Sequence, residues 1–286
     1  MGFPMSAVPD LTEAARELCH QRGLDFQAPL GRGAFKSAYL ALSDGAPVAL
    51  KLARVEGSAD RLIREAAALQ GCNHDSIARL FGAFTFPHQG EVLWAVMEEF
   101  IGGGTLEQRT PADGILDPAM VRDIGVSLGR VLEHLHERRL VHRDIKPANI
   151  LFRDAGNLPV LTDFGVVRML DQPSLTRDFL GMGPGTPAYA APEQLNNEKA
   201  QIDWRTDQFG LAVVLAEGLL GRHPFAVHGQ GRREAITAVA TKSTLPATSA
   251  EQLVGLGFAG LIPALHPWPV ARHRRPADFI AALAAP

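Results

Sequence analysis

Cysteine is scarce in this sequence, whose 286 residues include only Cys19 and Cys72. Neither lies in a Cys-x-x-Cys pair, which argues against a disulfide framework and against a zinc site built on paired cysteines. Two isolated cysteines are typical of a chain that folds in a reducing compartment. A chain of this length buries enough surface to fold without such crosslinks.

Long apolar runs and an excess of one charge are also absent. No segment approaches the roughly 18 apolar residues that a membrane-spanning helix needs, and the N terminus lacks the positive start of a secretory signal. The 28 basic and 31 acidic residues give a net charge of −3, which argues against general affinity for nucleic acid or membranes. We therefore predict a cytoplasmic protein, with a secreted effector as the alternative.

The sequence changes its periodicity along the chain. A capping pattern at Asp10 and Glu13 predicts a helix that ends at Gly23. Segments with strand character follow, one helical segment interrupts them, and helices dominate after the glycines at 102–104. This order predicts an α+β fold in two parts, with a hinge near residues 98–104.

The predicted elements are short in the first part and longer in the second. Strands are predicted at 26–30, 37–42, 47–52, 77–86 and 92–100, with an Asp44-Gly45 hairpin turn between the second and third. Helices are predicted at 59–70, 118–138, 204–220, 232–241, 250–265 and 276–284.

Five short segments concentrate glycine, charged and polar residues. They are 31–35 (GRGAF), 48–51 (VALK), 142–149 (HRDIKPAN), 163–165 (DFG) and 185–193 (GTPAYAAPE). A lysine that ends a buried strand, as Lys51 does, needs a partner, and Glu65 on the predicted helix 59–70 is the candidate. Each segment is weakly specific alone, but chance does not account for all five in this order and spacing.

With these five segments the sequence resembles the eukaryotic-type (Hanks-type) Ser/Thr protein kinase family over residues 24–283. Lys146-Pro147 and the GTPxYxAPE pattern are typical of its Ser/Thr branch. The resemblance implies a bilobal fold: an N-terminal extension (1–23) with a short helix and a kinase domain (24–286). The N-lobe would cover about 24–97, the hinge 98–102 and the C-lobe 103–286. Only five of the 28 basic residues are lysine, which suggests a GC-rich genome. The near-minimal kinase domain is similar to bacterial kinases of this type, so we expect a bacterial member.

The resemblance also implies how ATP is held. Lys51 would bind the α- and β-phosphates, and Glu65 would orient Lys51, because an ammonium on a four-carbon stem orients poorly alone. The loop residues that would cover the phosphates are Gly31, Arg32, Gly33, Ala34 and Phe35. The positions matched to the adenine site are Ala49, Met97 (the gatekeeper), Glu98, Phe100 and Leu151.

The resemblance assigns phosphoryl transfer to the later segments. Asp144 would accept a hydrogen bond from the substrate hydroxyl, and Lys146 would neutralise the transferring γ-phosphoryl group. Asn149 and Asp163 offer hard oxygen ligands for Mg²⁺, with Mn²⁺ as an alternative. The expected partners are ATP and proteins that present Ser or Thr; the oligomeric state is not predicted.

The glycine-containing loop departs from the family pattern, because Lys36 replaces the third glycine of GxGxxG. The string GRGAFKSAY is similar to the loop of the With-No-Lysine kinases, although Lys51 is also present here. In one interpretation Lys36 points to solvent from a hairpin. In the other it adds a second positive charge over the phosphates, and substitution of each lysine in turn would separate the two.

The resemblance places further residues in structural roles. Asp207 would brace the 142–149 segment, and Glu193 would pair with Arg275. Thr176, and after it Ser174, would be the sites of autophosphorylation, since a phosphate can order a loop against a basic pocket.

Two other classes share parts of this pattern. A small-molecule kinase of the aminoglycoside or choline type lacks the APE segment and the Lys-Pro pair. A catalytically weak pseudokinase acting as a binding module usually loses the lysine or an aspartate, whereas Lys51, Asp144, Asn149 and Asp163 are all present here.

Overall fold

The computed structural model of the chain describes residues 10–285, except 33–35, 56–62, 64, 65, 68, 154–156, 165–167, 170–186 and 228. The chain divides into two compact units. The first contains the residues up to Asn73 together with Ala78–Phe100, and the second contains His74–Ile77 and the chain from Ile101 onward. The first is rich in strands and the second is mainly helical, so the α+β fold class is confirmed.

The first unit is one antiparallel sheet with a helix against it. Helix α1 spans Thr12–Arg22, and the strands are β1 (Asp25–Arg32), β2 (Lys36–Ser43), β3 (Ala46–Arg54), β4 (Leu80–His88) and β5 (Glu91–Glu99). Their order in the sheet is β1-β2-β3-β5-β4. Asp44 and Gly45 have φ angles of 49° and 80°, the two positive values of a type I′ turn, whose twist matches that of the flanking strands. The predicted hairpin turn is confirmed.

Helix α1 packs into the hydrophobic core of the first unit. Leu11, Ala14 and Leu18 are buried with Tyr39 and Leu50 of the sheet. Residues that the sequence analysis set apart as an extension therefore contribute to this core. The helix begins one residue later than its capping pattern predicts, because Asp10 lies before the N-cap and accepts a hydrogen bond from the Thr12 amide at 3.0 Å.

The second unit contains the long helices. Its helices are α2 (Leu106–Arg109), α3 (Pro118–Glu137), α4 (Pro192–Leu195), α5 (Trp204–Leu220), α6 (Arg232–Ala240), α7 (Ala247–Gly255), α8 (Leu261–Ala264) and α9 (Pro276–Ala284). Its short strands are β6 (Leu140–Val141), β7 (Ile150–Phe152), β8 (Pro159–Leu161) and β9 (Arg168–Met169), paired as β6–β9 and β7–β8. No helix among the described residues is long and apolar enough to cross a membrane.

The helix predicted at 250–265 is wrong, because a glycine turn at Gly257 ends helix α7 after Gly255. Gly257 has φ 78°, and the Phe258 amide donates to the Leu253 carbonyl at 2.8 Å while the Gly257 amide donates to Val254 at 3.0 Å. These are the two hydrogen bonds of a Schellman motif, which satisfies the last carbonyls of a helix. The remaining residues form the separate short helix α8.

The Glu193 carboxylate pairs with Arg272, which corrects the predicted partner Arg275. Arg272 donates two hydrogen bonds to Glu193, at 2.8 and 3.0 Å, and both side chains are fully buried. Arg275 instead makes an exposed ion pair with Asp278, three residues on. The difference follows from position: Arg275 is the N-cap of α9, whereas Arg272 follows a short 3₁₀ turn.

A buried histidine links the end of α5 to the segment before α4. The Phe225 amide donates to His223 Nδ1 at 3.2 Å, so the proton is on Nε2, which donates to the Ala188 carbonyl at 2.7 Å. This arrangement needs the neutral imidazole. Burial lowers the pKa of His223 below its usual value.

We therefore expect the free energy of unfolding to decrease at acid pH, because the unfolded chain protonates His223 more readily than the folded chain does. The unfolded chain takes up a proton as the pH falls below about 6.5, whereas the folded chain takes it up only at a lower pH, so stability present above pH 6.5 is lost at up to about 1.4 kcal/mol per pH unit between the two pKa values. Urea unfolding at pH 7.5 and pH 5.5 measures the loss. His223→Gln keeps a donor and an acceptor without titrating, and should show a smaller loss. The control is His20→Gln, which removes an exposed histidine and should leave the loss of stability as large as in the wild type. If His223→Gln and the wild type lose the same free energy of unfolding between pH 7.5 and pH 5.5, the prediction is contradicted.

Candidate active site

The segment 142–149 connects β6 to β7 and ends in a 3₁₀ turn, Pro147–Asn149. Within it the Lys146 ammonium donates to Asp144 Oδ2 at 2.8 Å. The Asn149 side-chain amide donates to the same oxygen at 3.0 Å and to the Asp144 carbonyl at 2.8 Å. The Asp144 side chain is thus held by two donors from its own loop, while 15% of its surface stays exposed. A fixed, partly exposed carboxylate beside an ammonium can accept a hydroxyl proton close to a positive charge.

Asp207 of α5 holds the start of this segment in place by accepting hydrogen bonds from its backbone. Its two carboxylate oxygens accept the amides of His142 and Arg143, each at 2.7 Å. Arg143 has a φ angle of 71°, a conformation that a non-glycine residue adopts only where surrounding contacts impose it. Burial raises the pKa of Asp207 to about 7 although the two amides act in the opposite direction. The prediction that Asp207 braces this segment is confirmed.

His142 joins the segment to the residues after β8. Its Nδ1 accepts the Asp144 amide at 3.2 Å, which leaves Nε2 to donate to the Thr162 carbonyl at 3.1 Å. The Phe164 ring stands edge-on to the His142 ring, with 4.7 Å between centroids. These contacts fix the positions of Asp144 and of the 162–164 segment together.

The two predicted metal ligands flank the paired short strands β7 and β8, Asn149 just before β7 and Asp163 two residues after β8. Asn149 immediately precedes β7, and its carbonyl accepts the Thr162 amide at 3.0 Å, next to Asp163. Asp163 is buried and has φ 74°, a strained conformation of the kind found at functional sites. Among the described residues no group of three or more His, Cys, Asp or Glu side chains has a metal-holding arrangement. An amide oxygen and a carboxylate nevertheless fit Mg²⁺, which uses few protein ligands and keeps waters and phosphate oxygens.

In the first unit, Lys51 and Glu98 face the same side of the sheet and form an ion pair. Ala49 lies opposite Glu98, and Val96 lies opposite Lys51, in the pairing of β3 with β5. Directly opposite residues of an antiparallel pair share a face, so Ala49, Lys51, Val96 and Glu98 form one surface. The two charged side chains are 15% and 8% exposed.

The register of β3 with β5 places Met97 on the face of the sheet opposite to Lys51, and its gatekeeper role stays a prediction. Met97 lies opposite Leu50 and packs against the hydrophobic core on the other face of the sheet. Glu98 is the residue of β5 that shares the face with Lys51 and Ala49.

The glycine-containing loop is described only at its ends. Gly31 is exposed, and the Arg32 guanidinium binds the Asp10 carboxylate at 2.6 Å. Lys36 lies opposite Ala53, two residues along β2 from Ala38, which lies opposite Lys51. Lys36 therefore shares a face with Lys51, which favours its interpretation as a second positive charge. Gly33, Ala34, Phe35 and Glu65, together with Ser174 and Thr176, lie outside the described residues.

The chain passes from the first unit to the second between Phe100 and Ile101. The Gly103 amide donates to the Phe152 carbonyl at 2.9 Å, and the Phe152 amide donates to the Gly104 carbonyl at 3.0 Å. A Cβ at Gly103 would lie 2.3 Å from the Phe152 carbonyl oxygen, so only glycine allows this approach. These bonds place the residues after the hinge beside β7, which carries Leu151.

Comparison with known proteins agrees with this geometry. Residues 24–253 match the family described as "Protein kinase domain", and the chain belongs to that family. It is similar to the serine/threonine-protein kinases PknF of Mycobacterium tuberculosis and PkaA of Streptomyces coelicolor, with identities of 37% over 217 residues and 33% over 221 residues. A third relative, serine/threonine-protein kinase C of Synechocystis, is 33% identical over 213 residues.

These three relatives are longer than the chain. The alignments cover 71%, 70% and 68% of this chain but 44%, 39% and 38% of PknF, PkaA and the Synechocystis kinase. The chain therefore spans about two fifths of the length of the curated relatives it matches. The predicted resemblance to bacterial Hanks-type Ser/Thr kinases is confirmed.

Proposed function

We propose that this chain is an ATP-dependent Ser/Thr protein kinase domain, which transfers the γ-phosphoryl group of ATP to hydroxyl groups of protein Ser and Thr. The observation that carries the proposal is the arrangement around Asp144. Lys146 and Asn149 hold its carboxylate, and Asp207 holds the backbone just before it. Phosphoryl transfer depends mainly on such positioning and on charge neutralisation.

In the proposed reaction Asp144 orients the acceptor hydroxyl and takes its proton as the oxygen–phosphorus bond forms. The bond between the γ-phosphorus and its bridging oxygen breaks, and ADP leaves with that oxygen. Lys146, 2.8 Å from Asp144, offsets charge on the transferring group, and Lys51 binds the phosphates that remain on ADP. The two lysines supply positive charge where the transition state carries negative charge.

Asn149 and Asp163 would hold the divalent cation, and we propose Mg²⁺ as the physiological ion. Asn149 uses the NH₂ of its amide for Asp144, and its side-chain oxygen is the atom that would bind the cation. The cation supplies neutralisation of phosphate charge. Hard oxygen ligands suit Mg²⁺, and Mn²⁺ accepts the same donors.

A cytoplasmic location is part of the proposal. It is supported by Cys19 and Cys72, which are both buried and are not joined in a disulfide, as is usual in a reducing compartment. Protein substrates with Ser or Thr are the expected partners.

The proposal is tested by incubating the chain with γ-labelled ATP, Mg²⁺, a mixture of acceptor proteins and a metabolite extract. The measurement is whether the labelled phosphate is found on protein or on metabolites. We expect label in acceptor protein, loss of transfer with excess EDTA, and recovery when Mg²⁺ is restored. Recovery with Mn²⁺ in place of Mg²⁺ shows whether the ion choice is strict. Label in metabolites alone would identify a small-molecule kinase, and absence of metal-dependent transfer would favour a pseudokinase; either result contradicts the proposal.

A further inference from the structure

A charged cluster at the surface of the second unit has no part in the reaction proposed above. Its members are Tyr189, which ends a 3₁₀ turn, Glu217 of α5, and Arg232, the first residue of α6. The Tyr189 hydroxyl donates to Glu217 Oε2 at 2.6 Å. Arg232 Nη2 donates to Glu217 Oε1 at 2.7 Å and to the Tyr189 hydroxyl at 3.3 Å. The cluster therefore holds the Arg232 guanidinium in one place.

The guanidinium is the exposed group of this cluster. The Arg232 side chain is 59% exposed and the Glu217 side chain 16%, and both oxygens of Glu217 already accept hydrogen bonds. Every hydrogen bond that Arg232 makes to a described residue comes from Nη2, so the donors on Nη1 and Nε remain available to a ligand. A molecule that approaches this surface therefore meets the positive charge of Arg232 before the largely covered carboxylate.

The cluster lies beside the residue proposed as the base. Tyr189 and Asp144 line the same cavity. The Gln194 side-chain amide donates to the Arg143 carbonyl at 2.8 Å, which ties the segment after Tyr189 to the residue before Asp144. An extended chain advances about 3.3–3.6 Å per residue. A protein segment whose hydroxyl reaches Asp144 can therefore place a residue a few positions away at the Arg232 guanidinium.

An exposed guanidinium with donors to spare is suited to an anionic partner. Its planar geometry matches carboxylate and phosphate groups, and a side chain that is already held in place loses less freedom when it binds. Because Glu217 offsets part of the charge of Arg232, the resulting preference should be a few-fold, as is usual for exposed charge pairs.

We propose that Arg232 is a specificity-determining residue, which binds an anionic side chain of the acceptor protein within a few positions of the phosphorylated Ser or Thr. The inference rests on the proposed function, since it assumes that the acceptor hydroxyl binds at Asp144. The anion is the carboxylate of Asp or Glu, or the phosphate of a residue that was phosphorylated earlier and carries more charge.

The experiment measures phosphate transfer from Mg-ATP to a degenerate peptide library centred on Ser or Thr, for the wild type and Arg232→Gln. The wild type should enrich Asp and Glu at a position near the acceptor, and Arg232→Gln should lose the enrichment. Two synthetic peptides that differ only by Asp or Asn at that position then give a ratio of kcat/KM values. We expect a ratio of about five for the wild type and close to unity for Arg232→Gln. Because the ratio is taken within one protein, the folded fraction cancels.

Two further variants and a third peptide isolate the role of Arg232. Arg233→Gln removes the same charge from the next residue, which is also exposed, and should keep the wild-type ratio. Arg232→Met, also uncharged, is the second variant should Arg232→Gln fold poorly. A peptide with phosphoserine in place of Asp distinguishes the two sources of the anion. With either source the preference should disappear in Arg232→Gln.

The outcomes separate this inference from the function on which it rests. Three results would overturn the inference and leave the kinase function standing: no preference for an anion in the wild type, the wild-type preference in both Arg232 variants, or an equal loss in Arg233→Gln. Transfer to proteins but to no peptide would also overturn it, because Arg232 is proposed to bind a residue close to the hydroxyl. Failure of the wild type to transfer phosphate to any acceptor would overturn both.

Discussion

Substitution of Asp144 by Asn should reduce kcat for phosphoryl transfer by roughly 10² to 10⁴-fold, the usual contribution of a positioned general base. The asparagine keeps the size of the side chain and an oxygen that can accept from Lys146 and Asn149, so the local hydrogen bonds at 2.8 and 3.0 Å can persist. What it loses is the negative charge that takes the hydroxyl proton. We expect the KM for ATP to change by only a few-fold, because in the proposed reaction Asp144 binds the acceptor and not the nucleotide.

The matched control is Asp123→Asn, which removes an exposed carboxylate from helix α3. It should retain wild-type kcat and KM. A fall in kcat of less than about threefold for Asp144→Asn would show that Asp144 does not act as the base.

Substitution of Arg272 by Met should destabilise the fold by about 3–5 kcal/mol, because it leaves the Glu193 carboxylate buried without its partner. The wild-type guanidinium also donates to the carbonyl oxygens of Arg205 and His266, each at 2.8 Å, and these acceptors lose a donor. Arg275→Met is the natural comparison. It removes an exposed pair three residues apart on the chain, and its effect on the free energy of unfolding should be much smaller.

Urea unfolding of the two arginine variants measures this difference. A double variant, Arg272→Met with Glu193→Gln, should recover part of the stability lost in Arg272→Met, because no unpaired charge remains. Equal destabilisation by Arg272→Met and Arg275→Met would contradict the assignment of the buried pair.

Elements with clear local signals could be predicted from the sequence. Helix α5 begins and ends where predicted, since Asp203 caps its start and Gly221, with φ 65°, ends it. The Asp44-Gly45 turn was equally clear, because both residues tolerate positive φ. The helix predicted at 250–265 failed because its internal glycine turn has the same local composition as a helix with scattered small residues.

Two choices between neighbouring residues could not be made from the sequence. Both faces of β5 carry apolar residues, since Val96 and Met97 alternate between faces. The period-two pattern therefore gave no signal that Glu98, and not Met97, belongs beside Lys51. In the same way four consecutive basic residues, 272–275, offered no local basis for choosing the partner of Glu193. Such choices depend on strand register and on the packing of distant segments.

The measurement that tests the central claim most directly is the identity of the phosphorylated residue in an acceptor protein. Wild type and Asp144→Asn are incubated in parallel with Mg-ATP and the acceptor, and the modified residues are located by mass spectrometry. We predict phosphate on Ser and Thr hydroxyls with the wild type, and about a hundredth of that amount or less with Asp144→Asn. Equal phosphate with both proteins, or none on Ser and Thr with the wild type, would contradict the account.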